Sequence, residues 1–173
     1  MTEQSPKRIL VIDDDVDYRN LLVRLLSKAF PGVKVASLDP LKKGLPGDGF
    51  DWAQFDVVII DYNLGKVGSG LACVERIRKH AESPPATILL TAEGNEEIAA
   101  KAFRQGVHDY LPKQGLTGKT LTNSIKSAFN VRSNQVRKNR EISLNATRFS
   151  RTFFYEQANL AREEATQGFS RAL

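Results

Sequence analysis

Acidic side chains follow two of the short apolar segments of this 173-residue chain, at the point where each segment ends. Asp13 and Asp14 come directly after Ile-Leu-Val-Ile (9–12), and Asp61 comes directly after Val-Val-Ile-Ile (57–60). If these segments are neighbouring strands of a parallel sheet, their carboxyl ends meet at one edge and the three carboxylates converge. Such crowded charges require a counter-ion, and a few oxygen ligands suit Mg²⁺. We therefore predict a site for Mg²⁺, or Mn²⁺, at Asp13, Asp14 and Asp61.

Two further side chains at predicted strand ends extend the chemistry of this cation site. Thr91 follows the apolar segment 87–90, and Lys113 follows the segment 109–111. A carboxylate beside Mg²⁺ can accept a phosphoryl group as an acyl phosphate, while a lysine offsets charge on the transferring oxygens. Each residue alone has a structural interpretation, as a turn former or a solvated lysine. The joint pattern favours Lys113 as that lysine and Thr91 as a hydroxyl facing the phosphoryl group.

A parallel sheet is needed to bring these residues together, and residues 1–118 have the pattern of one. Short β-branched runs alternate with amphipathic stretches, which is typical of strands joined by crossover helices. The first run has no polar alternation, as expected for a strand covered on both faces. The predicted strands cover residues 8–12, 33–36, 57–60, 87–90 and 109–111.

Helical spacing marks the segments between these strands. Asp15 or Asp17 is expected to be a turn former or to cap the first helix, and Asn95 to open the helix after the fourth strand. Repeated prolines and glycines between residues 40 and 49 predict a short or irregular second helix. After the first strand, apolar residues recur at helical spacing, and after the fourth strand they are predicted to share one helix face: Tyr18, Leu21, Leu22, Leu25 and Ala29, and Ile98, Ala99, Ala102 and Phe103.

The C-terminal third predicts a long helical extension. Residues 119–167 contain neither proline nor glycine, so nothing in the sequence forces a helix to stop. Leu121, Ile125 and Ala128 fit a face that packs on the sheet, and a basic stretch follows at 132–141. A second apolar stripe then has the spacing of a helix that buries one face against a partner. Its members are Ile142, Ala146, Phe149, Phe153, Phe154, Ala158, Ala161 and Ala165, continued by Phe169 and Leu173.

The excess positive charge behind the formal net charge of +5 lies in the C-terminal third of the chain. Residues 1–118 carry 15 Lys and Arg against 16 Asp and Glu, whereas residues 119–173 carry 10 against 4. A composition of 41% hydrophobic and 26% charged residues is that of a folded protein rather than a disordered one. The single cysteine, Cys73, excludes an internal disulfide framework. We predict no signal peptide and no membrane span, and a cytoplasmic location.

Four segments of the chain resemble the motifs of two-component response-regulator receiver domains. They are Ile-Leu-Val-Ile-Asp-Asp-Asp (9–15), Asp-Val-Val-Ile-Ile-Asp-Tyr-Asn-Leu (56–64), Leu-Leu-Thr-Ala-Glu (89–93) and Gly-Val-His-Asp-Tyr-Leu-Pro-Lys (106–113), in the family's order and spacing. The resemblance implies an α/β fold, a flavodoxin-like doubly wound five-stranded parallel sheet of order 2-1-3-4-5. It also implies a phosphoprotein of bacterial phosphorelay signalling.

The resemblance assigns a role to each candidate site residue. It makes Asp61 the phosphoacceptor and, with Asp14 and the backbone carbonyl of Asn63, a direct Mg²⁺ ligand, while Asp13 acts through metal-bound water. Lys113 is implied to pair with the phosphoryl oxygens. The remaining implied roles are a switch pair, Thr91 and Tyr110, and two positions that tune dephosphorylation, Asn63 and Glu93.

The implied function is acceptance of a phosphoryl group from a sensor histidine kinase or phosphotransfer protein. The protein would not otherwise be an enzyme, because only self-catalysed transfer and slow autodephosphorylation are implied. Three positions depart from the family pattern. Gly65 stands where proline is usual, Gly70 falls one residue late, and Gln114 replaces a proline that usually follows a cis peptide bond. A cis bond before Gln114 would cost about 2.5–4 kcal/mol, so we expect a trans bond.

We predict a disordered segment at 1–6, a receiver domain at 7–130 and a helical extension at 131–173. The extension is expected to form a homodimer or to pack on the receiver, and the apolar end of the chain suggests a fragment of a longer protein. One alternative is a solvated linker helix. A less favoured one is a nucleic-acid-binding element, since no groove-reading motif is visible. The competing class of function is a degenerate receiver that serves as a constitutive scaffold. In the nucleic-acid alternative, the residues that would contact the phosphates are Lys126, Arg132, Arg137, Lys138 and Arg140.

Overall fold

Five parallel strands form a single sheet in a computed structural model that describes residues 5–92, 94 and 96–170, without the side chains of 146 and 148–170. The strand order is β2-β1-β3-β4-β5, which confirms the doubly wound flavodoxin-like arrangement. Of the segment predicted to be disordered, residues 1–4 lie outside the described chain. The strands are β1 (Arg8–Ile12), β2 (Lys34–Leu38), β3 (Val57–Asp61), β4 (Ala86–Thr91) and β5 (Asp109–Pro112).

Helices connect the strands and continue beyond the last of them. They are α1 (Val16–Ala29), α2 (Pro40–Lys43), α3 (Gly70–His80), α4 (Glu96–Arg104) and α5 (Gly118–Ser170). The chain divides into two compact units, Met1–Ser133, which contains the sheet, and Asn134–Leu173. Among the described residues, none of the helices combines the length and the hydropathy that a bilayer crossing requires.

The three central strands, β1, β3 and β4, are buried on both faces, as expected for central parallel strands. Every residue of β3 and β4 is buried. Alternate residues of β1 face opposite layers, because side chains alternate along a strand. Ile9 and Val11 pack with α1 and α5, whereas Leu10 and Ile12 pack with α3. The residues at the carboxyl ends of β1 and β3 are therefore positioned by strands that are packed on both faces.

Each of the two predicted helical stripes contains one exposed side chain. In α1 the buried leucines are Leu22 and Leu26, and Leu21 is 40% exposed. In α4 Ala102 is fully buried, whereas Phe103 is 51% exposed. Adjacent helical residues lie about 100° apart, so Leu21 and Phe103 point away from the direction of their buried neighbours Leu22 and Ala102. Asp15 caps α1 by accepting from the backbone N–H groups of residues 17 and 18.

The region between β2 and β3 contains little helix, as the prolines and glycines predicted. Helix α2 has four residues, and a 3₁₀ turn follows at Trp52–Gln54. Aromatic side chains cover the sheet here instead. The rings of Phe50 and Trp52 meet edge to face with centroids 4.6 Å apart, and Phe55 stacks on Phe50 at 6.1 Å. Trp52 is completely buried in the layer shared with α3.

The first turns of helix α5 pack on the sheet. Leu121, Ile125 and Ala128 are buried, as predicted. Arg132 does not lie on a solvated face, because its Nε donates to the Pro84 carbonyl oxygen at 3.1 Å. Val136, Ile142 and Leu144 are exposed. The structure does not describe the side chains of the other predicted stripe residues, which are Ala146, Phe149, Phe153, Phe154, Ala158, Ala161, Ala165, Phe169 and Leu173.

Candidate functional site

Three carboxylates meet at the carboxyl edge of the sheet. Asp61 is the last residue of β3, and the pairing of Ile12 with Ile60 places Asp13 beside it. Asp13, Asp14 and Asp61 each have a carboxylate oxygen within 4.8 Å of the others. Asp13 is 1% exposed and Asp61 is 6% exposed, while Asp14 is half-buried. These residues, the carboxylate cluster, are brought together as the sequence predicts.

Lys113 lies across this cluster. Its Nζ is 2.8 Å from Asp13 Oδ2 and 2.8 Å from Asp61 Oδ2. The ammonium also lies over the ring of Tyr18, 4.5 Å from the centroid. The Lys113 backbone is anchored too, since its N–H donates to the Thr91 carbonyl oxygen at 2.6 Å. The lysine is therefore fixed between two of the three acidic groups.

Burial and ion pairing oppose each other in the electrostatics of the site. Burial raises the pKa of Asp13 and Asp61, and hydrogen bonds from Lys113 offset only part of that rise. Burial lowers the pKa of Lys113, but its hydrogen bonds to the two carboxylates outweigh this and leave the pKa raised. One ammonium thus faces three carboxyl groups. Hard oxygen donors in excess of the positive charge fit a hard divalent cation such as Mg²⁺.

The loop after Asp61 turns at Gly65. Gly65 has a φ of +61°, in the left-handed region that favours glycine. Its N–H donates to Asn63 Oδ1 at 3.1 Å, which closes an Asx turn. A Cβ at this position would lie 3.2 Å from Asp14 Oδ2. The glycine that stands in place of the usual proline therefore lets the loop approach the carboxylate cluster closely.

Helix α3 begins in direct contact with the backbone of Asp61. A Cβ on Gly70 would lie 2.3 Å from the Asp61 carbonyl oxygen and 2.8 Å from a methyl carbon of Leu89. The N–H of Gly70 donates to the Tyr62 carbonyl oxygen at 2.7 Å. Sequence reasoning noted this glycine only for its shifted position. Its requirement for close approach depends on the distance between helix and strand, which the sequence does not contain.

The residues of the predicted switch lie on β4, which is paired with β3, and on the edge strand β5. Thr91 ends β4 and is buried, and Tyr110 in β5 is half-buried and packs in the α3 layer. The peptide bond between Lys113 and Gln114 is trans. The loop there is held instead by backbone hydrogen bonds from Lys113 to Thr91 and from Leu116 to Lys113. Glu93 and the predicted helix-opening Asn95 lie outside the described residues.

A buried arginine below the cluster was not predicted from the sequence. Arg19 donates from Nη1 to the Asp13 carbonyl oxygen at 2.5 Å, and its Nη2 lies 3.1 Å from Asp39 Oδ2. A signal for it does exist. Arg19 is spaced three and seven residues before Leu22 and Leu26, so it shares their buried face of α1.

The family model for the response regulator receiver domain matches residues 9–126. The chain therefore belongs to the response regulator receiver domain family.

Similar proteins place this domain in larger regulators. The chain is 31% identical over 125 residues to the C4-dicarboxylate transport transcriptional regulatory protein DctD of Pseudomonas aeruginosa, covering 72% of this chain and 26% of that protein. It is 28% identical over 106 residues to the methanogenesis regulatory protein FilR1 of Methanothrix harundinacea, covering 61% and 24%. The chain thus spans about a quarter of the length of these curated relatives.

A solved receiver domain structure from Clostridium thermocellum agrees with the fold. It is 30% identical to this chain with a TM-score of 0.64, and the match covers 74% of this chain and 98% of that one. The match is therefore to nearly the whole of an isolated receiver domain.

Proposed function

We propose that Asp61 accepts a phosphoryl group in a Mg²⁺-dependent reaction from a sensor histidine kinase or phosphotransfer protein. The observation that carries this proposal is the ion pair between Lys113 and Asp61 inside a cluster of three carboxylates. A carboxylate with a fixed ammonium beside it has both a nucleophilic oxygen and a partner for the incoming charge. The cytoplasm is the compartment in which we expect this reaction.

The chemical step follows from these positions. A carboxylate oxygen of Asp61 attacks phosphorus, and the bond from phosphorus to the donor nitrogen breaks with its electron pair passing to that nitrogen. Asp13, Asp14, Asp61 and the Asn63 carbonyl would hold Mg²⁺, which supplies charge neutralisation for the phosphoryl oxygens. Lys113 exchanges its bond to the Asp61 carboxylate for one to a phosphoryl oxygen.

The new phosphoryl group carries about −1.5 to −2 charges beside Lys113, and the Asp61 carboxylate loses its own negative charge when the acyl phosphate forms. We propose that the Thr91 hydroxyl moves toward it and that the Tyr110 ring turns inward, as the family resemblance implies. The phosphoryl group would then bias an existing equilibrium between two conformations and so control a partner or an attached output module. Asn63 and Glu93 are proposed to set how quickly water removes the group.

The helical extension is proposed to form a homodimer through residues 131–173. Val131, Val136, Ile142 and Leu144 are exposed on α5, and exposed apolar side chains of a helix are stabilised by burial against a second copy. Nucleic-acid binding is the weaker candidate, because Arg132 is engaged by Pro84 and Asp56.

Incubation with Mg²⁺ and acetyl phosphate tests the phosphoacceptor proposal. We expect a base-labile adduct on the wild-type chain and on Asp17→Asn, an exposed acidic residue of α1, but none on Asp61→Asn. An adduct that survives Asp61→Asn would contradict the assignment. A wild-type chain that forms no adduct, even with a cognate kinase, would favour the constitutive scaffold.

The mass of the full chain in solution, with and without beryllofluoride, tests the homodimer. We expect a dimer that Ile142→Asp weakens and that Asn139→Asp, an exposed polar change on the same helix, leaves intact. A monomer under all conditions would exclude this role of the extension. Salt-sensitive binding to DNA or RNA would instead support the nucleic-acid alternative.

A further inference from the structure

A buried cation beside the carboxylate cluster has no part in the chemistry proposed above. Arg19 is 6% exposed, and its guanidinium joins the Asp13 carbonyl oxygen at 2.5 Å to the Asp39 carboxylate at 3.1 Å. Asp13 and Asp39 are the residues that follow β1 and β2, whose last residues, Ile12 and Leu38, are paired. One side chain therefore joins the carboxyl ends of two neighbouring strands.

The hydrogen bond from Arg19 to the Asp13 carbonyl oxygen affects the orientation of both Asp13 and Asp14. That carbonyl belongs to the peptide group linking Asp13 to Asp14, so holding it fixes the plane from which two cluster carboxylates emerge. Burying a guanidinium is costly unless it is paired, and the Asp39 carboxylate supplies the pairing. The ion pair with Asp39 therefore fixes the position of the Arg19 guanidinium.

A second series of contacts runs from Arg19 through Asp39 and α2 to the Gly65 turn, which lies next to the Asp14 carboxylate. Asp39 Oδ1 accepts from the backbone N–H groups of Leu41 at 3.0 Å and Lys42 at 3.3 Å, which caps α2. Leu41 lies against Gly65: a Cβ on that glycine would be 3.4 Å from Leu41 and 3.2 Å from the Asp14 carboxylate. A series of contacts through Arg19, Asp39 and α2 therefore runs from the peptide group before Asp14 to Leu41, which lies close to Gly65 as the Asp14 carboxylate does.

We infer that Arg19 is a positioning residue, which holds Asp13 and Asp14 in the geometry that binds a divalent cation. The inference rests on the proposed function, because it assigns Arg19 to the cation site used in phosphoryl transfer. Groups that orient metal ligands typically contribute about 10–100-fold to metal affinity. Arg19 and Asp39 meet that description here.

Electron paramagnetic resonance of free Mn²⁺, titrated with the full chain, measures this contribution without any phosphoryl transfer. We expect Arg19→Gln to weaken Mn²⁺ binding roughly 10–100-fold. Asp39→Asn should weaken it less, because the bond to the Asp13 carbonyl remains. Arg24→Gln, an exposed arginine of the same helix, is the matched control and should bind as the wild type does. Circular dichroism and urea unfolding without cation record the fold and stability of each variant separately.

The outcomes separate this inference from the function on which it rests. A folded Arg19→Gln chain that binds Mn²⁺ like the wild type would show a purely structural arginine and overturn the inference. If Arg19→Gln does not fold, Asp39→Asn decides, and unchanged affinity there overturns it equally. A wild-type chain that binds no Mn²⁺ would count against the proposed function itself.

Discussion

One ammonium and three carboxyl groups set the charge balance of the site. Lys113 lies 2.8 Å from oxygens of both Asp13 and Asp61, so it occupies part of the space where a cation would reduce their repulsion. The lysine therefore has two opposed effects. It competes with a bound cation for the carboxylates, and it supports the phosphoryl group once Asp61 is modified.

Lys113→Gln should separate these two effects. Removing the ammonium raises the net negative charge of the carboxylate cluster, so we expect Mg²⁺ affinity to rise about tenfold or more. Phosphoryl transfer from acetyl phosphate should fall roughly 10²–10³-fold, because a preorganised donor to the transferring oxygens is lost. Calorimetry measures the first change and adduct formation the second. Lys66→Gln, an exposed lysine of the nearby loop, should change neither, and a parallel fall in both quantities for Lys113→Gln would contradict this account.

At the scale of elements, the contact between α3 and β3 determines how the phosphoacceptor is presented. Gly70 brings the first turn of α3 against the carbonyl of Asp61, with Leu89 of β4 on the other side. The neighbours here are backbone and a buried methyl group, which cannot move aside without shifting the strand. A displacement of the first turn of α3 is therefore expected to displace Asp61 as well.

Gly70→Ala should destabilise the protein and disturb the site together. An inserted methyl group in a packed interior costs about 1–3 kcal/mol, and the shift it forces displaces Asp61. Urea unfolding gives the first quantity, and adduct formation on the folded chain gives the second. Gly49→Ala is the matched control, since a Cβ there meets nothing within 4 Å. Equal behaviour of the two variants would show that the close contact is unimportant.

The join between α4 and β5 contains a pH-sensitive contact. His108 Nδ1 accepts from the Thr87 N–H at 3.1 Å, so the ring is neutral in this arrangement. Burial lowers the pKa of His108, and the charges of Arg132 and Arg78 lower it further. Protonation therefore opposes folding. The stability this residue contributes is complete above its ordinary pKa of about 6.5 and is lost as the pH falls through the lower folded pKa.

Replacing His108 should remove this part of the pH dependence. We expect the free energy of unfolding of the wild type to fall between pH 7.5 and 5.5 relative to His108→Asn, whose side-chain oxygen can still accept from Thr87. Urea titrations of both proteins at the two pH values measure the difference, in which the other titrating groups cancel. Identical pH profiles would show that His108 is accommodated in its charged form.

How far the elements could be predicted depends on the range of the interactions that form them. The strands and Asp15 at the start of α1 follow from local patterns, a continuous apolar run and a side chain that caps its own helix. The convergence of Asp13 and Asp61 followed from topology. Arg19 and Gly70 could not be assigned their contacts, because each depends on the distance to a different element. Phe103 was misplaced because apolar character alone does not fix which side of a helix is buried.

At the scale of the whole molecule, Arg132 joins α5 to the amino-terminal edge of the sheet. Its Nη1 lies 3.7 Å from Asp56 Oδ1, and Asp56 Oδ2 accepts from the N–H groups of Lys7 and Arg8. Asp56, just before β3, thus connects the start of β1 to α5. This edge is opposite to the carboxylate cluster, so changes here test the scaffold rather than the chemistry.

Arg132→Gln should lower stability without changing phosphoryl transfer. The partly buried pair is expected to contribute about 0.5–1 kcal/mol, an effect that shrinks at high salt. Urea unfolding at low and high salt measures it, and Lys138→Gln, an exposed basic residue of α5, should have no comparable effect. A loss of adduct formation in Arg132→Gln would instead show that this edge communicates with the site.

The aromatic cover between β2 and β3 has a practical consequence. Trp52 is the only tryptophan of the chain and is completely buried against the sheet. Its fluorescence therefore comes from a single, water-shielded position, in the same layer as Leu64 of the loop that follows Asp61. The protein carries a built-in optical probe, and a shift of its emission on cation or beryllofluoride binding would report rearrangement of that layer without any attached dye.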